Sequence, residues 1–222
     1  GVKTLNLAGD VIADIYAGKI TMWNDPRLQS INAGVKLPAQ KIIVAYRSDG
    51  SGSTFVFTDY LSKGSENWKK TYGSGKTVDF PVGQAAKGNP GVAGIIANTP
   101  YSIGYVGSEY AFAQKIAFAN VKNASGAFIT PSAASISAAA GDIPSDTRCS
   151  ITNASGKDAY PISLFTWLII YKEQNYSNRT KEQALATVDL LKHMLDPKVQ
   201  HDEQGALCSS SRKGSETELG KS

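Results

Sequence analysis

The segment Arg47-Ser-Asp-Gly-Ser-Gly-Ser-Thr54 has no apolar side chain and concentrates groups that bind anions. It lies between a β-rich run, Lys41 to Tyr46, and a helical run, Phe55 to Leu61. A loop leading from a strand into a helix exposes unpaired backbone N–H groups, and the helix dipole adds partial positive charge there. Gly50 and Gly52 allow close approach of the backbone to a ligand. Ser51 and Ser53 bring hydroxyl donors. Arg47 brings a planar fork of donors suited to a tetrahedral oxyanion. Asp49 does not favour an anion and reads as the group that orients Arg47. The same residues also fit a plain Gly/Ser turn whose serine caps the next helix. The spacing is not G-x-x-x-x-G-K, so it is no Walker A loop. Gly50-Ser51-Gly52 is too tight for a nucleophile elbow, and His193 is the one plausible base.

Other chemistry is sparse. Cys149 and Cys208 stand in no Cys/His cluster, and only His193 and His201 could join them, so no metal site is expected. The two cysteines read as unrelated, with a single Cys149–Cys208 disulfide as the alternative. The 222 residues carry 23 basic and 19 acidic side chains, a net charge of +4, with no basic run to suggest nucleic acid. Residues 172–222 hold 8 basic and 8 acidic residues, so the excess lies in residues 1–171 and suits a small anion. Trp23, Trp68 and Trp167 read as packing residues. Asn123, Asn153, Asn175 and Asn178 match the glycosylation pattern by chance.

The elements that must position the loop follow from periodicity. Val11, Ile12, Ile15 and Tyr16 share a helical face that Gly18 ends. Trp23-Asn-Asp-Pro26 reads as a turn and helix start. Lys41 to Tyr46 is a strand, and Ile103-Gly-Tyr-Val106 another, with a helix over 92–97 between them. Alternation of strands and helices predicts an α/β fold with a largely parallel sheet. Pro131 to Ala140 reads as a helix, Leu164 to Tyr171 as an apolar strand, and Thr180 to Leu195 as a helix with a Thr180/Gln183 capping box. Residues 204–222 read as an atypical, disordered tail. No apolar run reaches the roughly 18 residues of a membrane span.

The loop and its helix, Arg47 to Leu61, resemble the phosphate-site segment of the periplasmic phosphate-binding proteins of ABC transporters. Four further blocks occur in that family's order: Asp14-Ile-Tyr-Ala-Gly-Lys-Ile with Trp23-Asn-Asp, Gly88-Asn-Pro-Gly-Val92, Ile103-Gly-Tyr-Val106, and Asp158-Ala-Tyr-Pro-Ile162. The resemblance implies an α/β, type II periplasmic-binding-protein-like fold of two lobes that close on the ligand. It implies phosphate bound by Arg47, Ser51, Gly52 and Ser53, with Asp49 supporting the arginine. It also implies that residues 1–158 are the second lobe, that 159–203 belong to the first, and that a long segment of the first lobe is missing before Leu5. That segment would carry the acidic group that accepts the anion's proton.

The function so implied is capture of inorganic phosphate, in the periplasm or at the outer cell face, for delivery to a membrane permease. No cofactor, metal or nucleic acid is expected, and no signal segment opens the chain at Gly1. The alternative is a phosphoryl-handling enzyme, such as a phosphatase, using the same loop as an anion cradle. Against it stand the lack of a metal-ligand cluster and of a nucleophile with a base.

Overall fold

The computed structural model describes residues 4–141 and 149–196. They fall into two compact units, the first running through Leu164 and the second beginning at Phe165.

In the first unit a short strand, β1 (Asn6–Leu7), leads into helix α1 (Gly9–Tyr16), which buries Val11, Ile12, Ile15 and Tyr16 as their spacing requires. Gly18, at φ +73°, ends the helix in a conformation that other residues resist. Asp25 caps α2 (Pro26–Ser30) by accepting from the Arg27 N–H, with proline at the first helical position. The central strand β2 (Ile43–Arg47) is followed by α3 (Gly52–Gly64) and α4 (Glu66–Thr71). Then come β3 (Gln84–Ala86), α5 (Gly88–Asn98), β4 (Ser102–Ile103) and α6 (Ser108–Ala113). Strands β5 (Asn120–Lys122) and β6 (Phe128–Ile129) and helix α7 (Ala133–Ala140) follow.

Two three-stranded sheets result. In one, β2 lies between β3 and β4 and pairs with both in parallel. This is the parallel sheet that the alternation predicts. In the other, β1 pairs in parallel with β5, and β6 closes it in antiparallel register.

The core is aromatic. The Tyr16 ring meets Phe57 edge-on at 4.7 Å, and Tyr105 stacks on Phe57 at 4.4 Å. Trp23 and Trp68 are buried, as expected of packing residues. Helices α1 and α3 touch through glycines: a Cβ on Gly64 would stand 3.1 Å from the Cα of Gly9. The Asn123 side chain is also structural. Its Nδ2 donates to the carbonyls of Gly156, Lys157 and Ala159, and its Oδ1 accepts from Ser125 and Ala127. The chain from Asp158 to Ser163 stays with this unit: Ala159 and Pro161 are fully buried, and the Tyr160 N–H donates to the Ser135 carbonyl at 2.9 Å.

The second unit holds α8 (Lys181–Leu195). Its capping box forms as read: Gln183 N–H donates to Thr180 Oγ1, and Thr180 N–H to Gln183 Oε1. Ala184, Val188 and Leu191 are half-buried. The strand expected over 164–171 does not form, and these residues carry no regular secondary structure. Trp167 is 50% exposed and Ile169 93%, so Trp167 is not the packing residue its type suggests. A strand exists only with ladder partners, and none of the described strands pairs with this stretch. His193 is exposed on α8, while Cys208, His201 and the tail 204–222 lie outside the described residues.

Candidate functional site

The expected residues gather at the carboxyl edge of the parallel sheet. Arg47 ends β2, and its register partner is Ala86, the last residue of β3. Both strands therefore deliver their following loops to the same edge, the place where open α/β sheets bind ligands. From β2 the chain runs through Asp49 and Ser51 into α3; from β3 it runs through Lys87 into α5.

Arg47 is held tightly, with its side chain only 11% exposed. Its Nε donates to Asp49 Oδ1 at 2.8 Å and its Nη2 to Asp49 Oδ2 at 2.5 Å. Asp49 thus orients the arginine, as its position suggested. The guanidinium, together with the Gly88 N–H that donates to Asp49 Oδ1 at 2.9 Å, holds the Asp49 carboxyl well below the usual carboxylate range. Reciprocally, Asp49 raises the Arg47 pKa against the opposing effect of partial burial.

Ser51 is buried and caps α3: the Thr54 N–H donates to its Oγ at 3.3 Å. The capping reading is therefore correct, and it leaves the Ser51 O–H free to donate elsewhere. The Ser51 N–H donates to the Lys76 carbonyl, which pins the loop from the other side. Gly52 and Ser53 occupy the first two helical positions. Among the described residues, no acceptor takes either of their N–H groups. A Cβ built on Gly50 or Gly52 meets nothing within 4 Å, so space above this turn is open. Arg47, Ser51, Gly52 and Ser53 thus stand along one strand-to-helix passage, from the end of β2 to the first turn of α3, with donors available.

Three further residues, which the sequence reading quoted only within family blocks and gave no site role, hold Arg47 and Asp49 in place. Asn89 Oδ1 accepts from Arg47 Nη1 at 2.9 Å. Gly88 supplies the N–H to Asp49. The Tyr105 hydroxyl accepts from the Arg47 N–H at 3.2 Å and lies 2.8 Å from Thr54 Oγ1, tying the end of β2 to the first turn of α3. Burial pushes the Tyr105 hydroxyl up, so it remains a neutral phenol there. The available signal was positional: Gly88-Asn89 follows one parallel strand and Tyr105 another, and such loops converge at one sheet edge. No cluster of His, Cys, Asp and Glu among the described residues could hold a metal ion.

Residues 1–188 match the family model described as the PBP superfamily domain. The chain belongs to the PBP superfamily. Among members, it is 43% identical over 181 residues to the phosphate-binding protein PstS of Pasteurella multocida, covering 80% of this chain and 53% of that one. It is 42% identical over 212 residues to the PstS of Methanocaldococcus jannaschii, covering 88% of this chain and 54% of that one. A high affinity periplasmic phosphate-binding protein, PfluDING, solved with phosphate bound, superposes with a TM-score of 0.52 at 25% identity, over 73% of this chain and 50% of that one. This PBP superfamily chain spans about half the length of the curated relatives it matches. Its α/β architecture is that of the superfamily.

Proposed function

We propose that this chain is the phosphate-gripping part of a substrate-binding protein that serves an ABC transporter. The observation that carries the reading is the oriented arginine. Arg47 is locked by Asp49 beside a helix start whose first two N–H groups have no protein acceptor among the described residues. Phosphate would take its charge-assisted bonds from Arg47, from the Ser51 and Ser53 hydroxyls, and from the backbone of Gly52 and Ser53. Each such bond contributes roughly 1.5–3 kcal/mol. The names of the relatives support phosphate as the anion.

The protein would bind without turnover, hold phosphate between two closing lobes, and deliver it to a membrane permease from the periplasm or outer cell face. In this reading residues 1–158 are one lobe. Residues 159–164 pack with that lobe rather than leaving it at 158, and the chain from Phe165 onward would enter the other, whose remainder would come from sequence outside the 222 residues. Isothermal titration with inorganic phosphate tests the binding. A measurable Kd supports it, and no heat of binding at millimolar phosphate overturns it. Phosphate release from phosphomonoesters by this protein would instead revive an enzyme reading.

A further inference from the structure

A guanidinium has five N–H donors: one on Nε and two on each terminal nitrogen. In this site three are committed inside the protein. Nε–H and one Nη2–H go to the two oxygens of Asp49, and one Nη1–H goes to Asn89 Oδ1. Among the described residues no acceptor takes the other two donors, one on each terminal nitrogen, and a bidentate contact with an oxyanion uses one from each. The atom of Asn89 that faces Arg47 must be its carbonyl oxygen, because a guanidinium only donates.

Asp49 alone leaves Nη1 with both of its N–H bonds free. Asn89 supplies an anchor from the first turn of α5, and Gly88 beside it binds Asp49 at the same time. The Arg47–Asp49 pair is thereby fastened to the start of α5, the helix that follows β3, through two separate contacts.

We infer that Asn89 is a positioning residue for Arg47: by accepting from Nη1 it completes, with Asp49 and Gly88, a clamp that fixes the guanidinium with one N–H on each terminal nitrogen directed to an oxyanion. The inference rests on the reading of Arg47 as a phosphate ligand. Asn89 acts through the arginine, so its effect vanishes when the arginine is gone. It also rejects a carboxylate at its own place. Asn89→Asp would keep the acceptor and the clamp but set a second negative charge beside the anion.

Two measurements test it. Calorimetry with inorganic phosphate on Asn89→Ala, Arg47→Ala and the double variant should show Asn89→Ala weakening binding on the order of tenfold. The double variant should bind no more weakly than Arg47→Ala alone. Losses that add in full would overturn the inference. Asn89→Asp should bind phosphate more weakly than Asn89→Ala, increasingly so as rising pH removes a further proton from phosphate.

The second measurement needs no ligand. Nitrogen-15 NMR of the Arg47 guanidinium in the anion-free protein should show restricted rotation at Nη1 in the wild type and in Asn89→Asp, and faster averaging in Asn89→Ala. Unchanged rotation in Asn89→Ala would also overturn the clamp. A wild type that does not bind phosphate would remove the functional reading, while the NMR comparison would still decide the clamp.

Discussion

At the scale of the residue, Arg47 and Asp49 divide the work. In the proposed site Arg47 would give donors to the ligand, while both carboxylate oxygens of Asp49 hold Arg47 and the Gly88 N–H. Arg47→Ala should cost phosphate binding about 2–5 kcal/mol, because the anion is left beside the helix start without its cation. Calorimetry checks this, and unchanged affinity would remove Arg47 from the site. Asp49 carries a pH signature. Its folded pKa lies below its unfolded value, so its stabilising contribution is complete above the ordinary carboxylate range, near pH ~4. That contribution is lost as pH falls through the folded pKa. The difference in Tm between wild type and Asp49→Asn should therefore be largest near neutral pH and shrink below pH ~4. A difference that does not vary with pH would contradict the pairing.

Elements set where these residues stand. Ser51 caps α3 through its oxygen, and in the proposed site it would serve the ligand through its hydrogen; two substitutions separate the roles. Ser51→Ala should destabilise the protein by about 0.5–2 kcal/mol, Ser51→Gly by only a few tenths. Both should lose the same increment of phosphate affinity, since both lose the hydroxyl. Denaturant melts and calorimetry on the pair make the test. The contact of α1 with α3 is equally local. On Gly64 a methyl group would meet the Gly9 backbone at 3.1 Å, and backbone yields poorly. Gly64→Ala should cost roughly 1–3 kcal/mol of stability through overpacking. A neutral result in urea melts would show that the helices shift apart freely.

For the molecule as a whole, two expectations concern what these 222 residues do by themselves. Phosphate differs from sulfate in carrying a proton at neutral pH, and telling them apart requires an acceptor. Asp49 already accepts three hydrogen bonds from Arg47 and Gly88, which leaves it one lone pair, on Oδ2, for any further donor. This chain alone should therefore discriminate weakly between the two anions in a competition titration. Strong preference for phosphate would mean that a carboxylate of this chain reaches the ligand. The second unit exposes Leu168, Ile169, Ile170 and Tyr171, and Leu185 and Leu190 of α8. Apolar surface of this kind associates in water. Analytical ultracentrifugation should find the chain self-associated, and a monodisperse monomer across the micromolar range would refute this.

The local structure from Arg47 to Thr54 was legible in the sequence because its contacts are between near neighbours: a strand end, an arginine, a carboxylate two residues on, and a serine that caps its own helix. The sequence by itself determined α1, α3, α5 and the capping box of α8 for the same reason, since helix faces and caps depend on neighbours within a few residues. The tertiary structure decided the rest. Asn89 and Tyr105 lie 42 and 58 residues from Arg47, and only the parallel register of β2 with β3 and β4 brings them to it. The stretch 164–171 shows the same dependence in reverse. Its apolar residues read as a strand, but a strand borrows its hydrogen bonds from other segments, and none of the described strands lends them.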